Sequence, residues 1–141
     1  MKQLNNKEIK EICKKLEEQF GLNELNLDYL FFLNNDNKIF LINRDYLRLN
    51  FDLLRVNSFG LYFGKIENTG IRLSVSCTQL IGKKAIKNVL ETDNKDEWLN
   101  GKDLECDKKL FNWHIIKSND DFLGCGYCKN GAVMNFIPKK K

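Results

Sequence analysis

The stretch WHIIKSNDDFLGCGYCKNGAVMNFIPK, residues 113–139, decides how this chain is read. The run WHIIKS (113–118) stops at the polar turn NDD (119–121). FLGCGYC (122–128) stops at KNG (129–131), and AVMNFI (132–137) leads into Pro138. Short apolar runs divided by Asn, Asp and Gly clusters are the pattern of consecutive strands joined by tight turns. Their recurrence every roughly 8–12 residues predicts a small barrel.

The same stretch contains a C-x-x-C, Cys125 and Cys128. One such pair supplies half of the tetrahedral set that structural zinc needs. A set of Cys106, His114, Cys125 and Cys128 can be written, but its first spacing is not that of a zinc knuckle. A redox C-x-x-C sits where a helix dipole lowers the thiol pKa, whereas GCGYC runs into a turn between strands. In an unbroken strand the two cysteines face opposite ways, and a bulge at Gly124 or Gly126 would change that. We therefore read the segment as barrel architecture and expect no cofactor and no metal.

Upstream, KKAIKNVLE (83–91) precedes DNKDEWLNG (93–101), a short helix capped by Asp93 or Asn94 and closed by Gly101. DLEC (103–106) and a charged DKK turn follow. The first half opens with NNKEIKEICKKLEEQF (5–20), in which Ile9, Ile12, Cys13, Leu16 and Phe20 form one helical stripe. Asn5 or Asn6 caps its start and Gly21 marks its stop. YLFFL (29–33), the turn NNDN and KIFLI (38–42) read as a hairpin. NRDYLRL (43–49) reads as a short helix. In residues 53–67 strand residues are interrupted by Gly60 and Gly64. After the turn NTG (68–70), IRLSVS (71–76) alternates apolar and polar residues as a strand with one wet face. Gly82 ends TQLIG (78–82) at a domain boundary. The expected fold class is α+β: an N-terminal α/β domain over residues 1–80, then a small, mostly β domain over 81–141.

The 141 residues suffice for one domain or two small ones sharing an interface. With 43% hydrophobic and 30% charged residues, a packed core and a soluble surface are both expected. No run approaches a membrane span, and MKQLNNKEIK lacks an apolar signal core, so we expect a cytoplasmic protein. The five cysteines are odd in number and mostly scattered, which suits reduced thiols. The net charge of +4 is uneven. Residues 77–141 carry 12 cations, all lysine, against 9 acids, a bias that permits a polyanionic partner.

Catalytic signatures are missing from the sequence. It has no G-x-G-x-x-G and no P-loop, and its one histidine, His114, sits in an apolar strand pattern. Asp96–Glu97 and Asp120–Asp121 read as helix-start and turn residues. We expect no enzyme.

With NVLE, WLNGKDLE (98–105) and WHIIKSNDDFLGCGYCKNGAVMNFIPK in view, the second half resembles a PUA domain, the RNA-binding pseudo-barrel. The match is to the PUA domains attached to Sun-family RNA cytosine-5 methyltransferases, carried by the L-G-x-G strand, the polar hairpin and the N-x-x-P-K ending. The first half, through FGLYFGKIENTGIRLSVSCTQLIG (59–82), is similar to two-domain proteins of large-subunit ribosome biogenesis that pair an α/β domain with a C-terminal PUA. This chain is shorter at its C-terminus than the eukaryotic ones. The S-adenosylmethionine domain and the Pro-Cys nucleophile of the methyltransferases have no counterpart here: the only proline precedes Lys139. The resemblance implies a non-catalytic binder of rRNA or tRNA, acting with pre-ribosomal or RNA-modification proteins.

RNA binding needs cations for phosphates. The candidates are Lys83, Lys84 and Lys87 after the joint and Lys129, Lys139, Lys140 and Lys141 near the end. A helical KKAIK would place its three ammonium groups on one side, and the resemblance implies that both groups share a surface. Trp98 and Trp113 read as core, Tyr127 as a more exposed aromatic, and Arg72 as a partner of Glu67 across the NTG turn. The competing readings are a protein–protein adaptor on a PUA-like scaffold and a thiol or zinc protein.

Overall fold

The computed structural model describes residues 1–44 and 60–137. Residues 45–49 of the helix expected at 43–49, residues 53–59 of the 53–67 run, and Lys139 to Lys141 lie outside them; Asn43, the expected cap, is the last residue of a strand.

Helix α1 (Asn6–Phe20) begins with a reciprocal cap. The Asn5 side chain accepts from the Glu8 N–H at 2.9 Å, and the Glu8 carboxylate accepts from the Asn5 N–H at 3.1 Å. Ile12, Cys13, Leu16 and Phe20 form its buried stripe, and left-handed Gly21 ends it. Five antiparallel strands make the first sheet in sequential order: β1 (Lys2–Gln3), β2 (Tyr29–Leu33), β3 (Lys38–Asn43), β4 (Leu61–Glu67) and β5 (Gly70–Leu73). Both hairpins read from the sequence are present.

The strand expected over 71–76 stops at Leu73. Ser74 accepts from the Cys77 N–H at 3.0 Å and caps helix α2 (Val75–Ile81), whose buried residues are Cys77, Thr78 and Ile81. The period-2 alternation of IRLSV continues across the cap, so it concealed a change of structure that only Ser74 and the later apolar spacing report.

The second sheet contains β6 (Val89–Glu91), β7 (Leu104–Glu105), β8 (Asn112–Ser118), β9 (Asp121–Lys129) and β10 (Ala132–Asn135), in the order β6-β8-β9-β10-β7. The stretch 113–139 supplies its three central strands. β6 runs parallel to β8 and the remaining pairs are antiparallel. Helix α3 (Lys95–Leu99) puts Trp98, fully buried, on one face of this sheet, where its indole N–H donates to the Leu123 carbonyl at 2.8 Å. Gly126 makes room for it: a Cβ there would lie 2.7 Å from the Trp98 ring and collide with Val133.

One apolar core joins the two sheets. Leu16, Phe20, Phe31, Phe63, Ile71 and Leu73 pack in the same cluster as Trp113, Ile115, Phe122 and Cys125. Polar contacts reinforce the joint. Gln19 brackets Ile71, donating to its carbonyl at 2.8 Å and accepting from its N–H at 3.0 Å. The last carbonyls of α1, which no helix bond can use, are taken by the linker. Phe20 accepts from Ile86 and Lys87 at 2.9 and 3.2 Å, and Gln19 accepts from the Asn88 side chain at 2.5 Å. Thr78, fully buried on α2, accepts from the Gly124 N–H of β9 at 2.9 Å. Among the described residues no helix is long and apolar enough to cross a membrane.

Candidate nucleic-acid interface

Lys83 and Lys84 are exposed on a single 3-10 turn, Gly82–Lys84, which follows α2 directly. Gly82 lies against the Phe122 ring, and the Lys117 ammonium stands 5.6 Å from the centre of that ring. Lys83, Lys84 and Lys117 therefore gather around the start of β9. The helical KKAIK is not formed. Ala85 is extended, with φ −75° and ψ 131°, and Lys87 docks its N–H on Phe20. Lys87 is exposed but shares no helix face with Lys83 and Lys84.

Lys129 closes β9 at the opposite end from Phe122, a separation of roughly 23 Å at ~3.3 Å per residue. It stands beside the 129–132 turn, where Lys108 approaches to 3.2 Å of the position of a Gly131 Cβ. Lys129 thus groups with Lys108 rather than with Lys83 and Lys84. Lys139 and Lys140 lie outside the described residues.

The thiols are core. Cys125 packs in the cluster shared by both sheets, and Cys128 packs with Trp98 and Val133 in the cluster on the other face of the second sheet. No single metal ion reaches both. Burial raises each thiol to a pKa of about 12, and neighbouring Cys106 adds to the rise at Cys128. His114 is buried, with Nδ1 3.3 Å from the Asn112 carbonyl. Among the described residues no group of three or more metal-ligating side chains assembles.

Trp98 and Trp113 are buried as expected. Tyr127 is the more exposed aromatic, half-buried where both tryptophans are buried, although it meets Trp113 edge-on at 5.0 Å. Arg72 does approach Glu67, at 3.9 Å, but its guanidinium also lies 4.8 Å from the centre of the Phe136 ring. Asn135 holds the 98–103 loop, donating to the carbonyls of Trp98 and Lys102 at 2.7 and 2.9 Å while its own N–H reaches Asp103 at 2.9 Å. That brace leaves Lys102 exposed at a fixed turn. Sequence reasoning passed over Lys102, Lys108 and Lys117. Their only local signal is a lysine beside a turn or on the polar side of a strand.

Comparison with family models matches residues 1–75 to NIP7/UPF0113, pre-PUA domain. It matches residues 86–140 to Methyltransferase RsmF PUA domain. Comparison with the curated proteins found no match. Both matches agree with the two-domain resemblance and with the α+β fold read from the sequence.

Proposed function

The chain belongs to the NIP7/UPF0113 pre-PUA family, and from that premise we propose that it is a non-catalytic RNA-binding protein. It acts in ribosome biogenesis or as an accessory to RNA modification, with rRNA or tRNA as its ligand. On this reading residues 1–80 are the pre-PUA half and residues 81–141 the half whose lysines, grouped at more than one place, contact RNA. The observation that carries this reading is the order of the two matched domains along one short chain. Fold alone does not fix function, and exposed lysines support the reading. Lys83, Lys84, Lys87 and Lys129 are exposed, and none of them forms an ion pair among the described residues. Free ammonium groups of this kind neutralise phosphates and release counterions. Lys139 and Lys140 belong to the same proposal through the sequence.

The test is fluorescence anisotropy of labelled structured rRNA and tRNA fragments against duplex DNA of equal charge, at two salt concentrations. The reading expects micromolar or tighter binding to RNA over DNA, weakening steeply with salt. No binding at low salt overturns it. Salt-insensitive capture of a protein instead would favour the adaptor reading.

A further inference from the structure

The outer face of the first sheet carries cations in an arrangement that folding alone disfavours. In the register of β3, β4 and β5, Lys38 pairs with Lys65 and Lys65 pairs with Arg72. Three cationic side chains therefore stand in one row, all half-buried. Like charges directly opposite each other destabilise a sheet, and partial removal from water strengthens their repulsion. The acids nearby do not cancel the row. Glu67 approaches Arg72 at 3.9 Å, and Asp36, in the β2–β3 turn, lines the same depression as Lys38, Lys65 and Glu67, so the three cations of the row outnumber the acids by one. Neither Lys38 nor Lys65 forms an ion pair among the described residues.

Flat rings adjoin this row. The Lys38 ammonium lies 5.9 Å from the centre of the Tyr62 ring, and Arg72 covers the Phe136 ring. Trp113 also packs against Phe136, tilted, with ring centroids 5.1 Å apart, and the ring remains 39% exposed. Between Tyr62 and Phe136 opens a cleft of about 340 Å³, lined by Lys38, Tyr62, Arg72, Ser76, Phe136 and Ile137 among others, with no carboxylate among the described residues of its lining. It is a built concavity, with walls supplied by both halves of the chain. Its volume suits one small planar group.

We propose that this cleft receives one unpaired nucleotide of a single-stranded RNA segment. The base enters against Tyr62 and Phe136, and the neighbouring phosphates run along Lys38, Lys65 and Arg72. Cations tracking a backbone beside aromatic platforms are the chemistry of single-strand recognition, and a bound polyanion relieves the repulsion within the row. The proposal rests on the RNA-binding reading above and adds a site on the pre-PUA side that the lysines of the second half do not include.

The experiment uses the full chain and a fluorescein-labelled oligouridine of about ten nucleotides, a length within single-strand site sizes. Lys65→Glu is expected to weaken binding about tenfold or more and to reduce the salt slope, because single-strand slopes scale with the phosphates neutralised. The same change should raise the melting temperature, since it places an acid between Lys38 and Arg72. The double variant Tyr62→Leu, Phe136→Leu is expected to weaken binding roughly tenfold with the salt slope kept. Lys14→Glu, on the exposed face of α1, is the control for net charge. Photo-crosslinking of a 4-thiouridine version should mark peptides containing Tyr62 or Phe136. If wild type binds structured RNA but Lys65→Glu and the aromatic pair match it on oligouridine, the cleft is refuted and RNA binding stands. If wild type binds no RNA, both fail. Equal displacement by polyglutamate would reduce the site to a general anion patch and refute base recognition. If Lys65→Glu misfolds, Lys65→Gln and the crosslinks still decide.

Discussion

Replacing Thr78 with valine removes a single oxygen from a place that water does not reach. The Thr78 hydroxyl donates to the Val75 carbonyl at 2.7 Å and accepts from the Gly124 N–H at 2.9 Å. Valine keeps the shape, so no cavity opens. What changes is that the Gly124 N–H, at a left-handed residue of φ +91°, is left buried without a partner. An orphaned buried donor costs about 1–3 kcal/mol. With ~2.1 cal/mol/K of unfolding entropy per residue, a chain of 141 residues loses about 1 °C for every 0.3 kcal/mol. The expected fall in melting temperature is therefore roughly 3–10 °C. Thr78→Ser keeps both hydrogen bonds and loses one methyl, at about 1 kcal/mol. Thermal denaturation followed by circular dichroism gives the size of the effect. Amide exchange at Gly124 gives its cause, since the valine variant should lose protection there and the serine variant should keep it. A valine variant that melts with wild type and retains a protected Gly124 amide would refute the reasoning.

Lys83→Glu with Lys84→Glu should weaken binding of structured RNA and lower the salt slope while the fold persists; unchanged affinity in the folded variant removes that turn from the interface. Gly126→Ala drives a methyl into Val133 and the Trp98 ring, and thermal melts should show a loss of about 1–3 kcal/mol. At pH 8 a thiol reagent should react quickly only at half-buried Cys106, while Cys13, Cys77, Cys125 and Cys128 stay slow until the protein unfolds. Stability should fall as pH rises from about 9 toward about 12. The unfolded thiols ionise at their ordinary pKa of 9.0 while Cys125 and Cys128 stay protonated in the fold, so the stabilisation present below pH 9 is lost across that window. Urea melts at pH 8 and pH 10.5 test this, and Cys125→Ala should flatten the dependence.

What could be read from residues alone follows the range of the interaction. Helix α1 was legible because its cap, stripe and stop all lie within its own sixteen or so residues, each enforcing the same answer. The hairpins were legible for the same reason. KKAIK misled because local spacing allowed a helix, whereas Ile86 and Lys87 found better partners in the Phe20 carbonyl. That carbonyl belongs to another element and leaves no mark nearby. Tyr127 is more exposed than the two tryptophans, as expected, but its edge contact with Trp113 arrives only through the β8–β9 register. The faces of Cys125 and Cys128 followed from simple alternation. The cation row lay beyond reach: Lys38, Lys65 and Arg72 are unremarkable one at a time, and only strand pairing puts them side by side. The lysines proposed at 83, 84 and 129 were chosen as one surface, yet β9 holds Lys129 away from the other two.

The clasp on the end of α1 has a mechanical meaning. Turning one sheet against the other would strip Phe20 of two donors, open the Gln19 bracket and expose a core that both sheets line. Readers built from tethered modules adapt their spacing to the ligand and lose entropy when they settle. Here the offset between the cleft by Arg72 and the lysines around Phe122 is set when the chain folds. On the proposed reading, an RNA that touches both would meet a gauge of fixed length, and selection would fall on how far its unpaired bases lie from its next accessible phosphates.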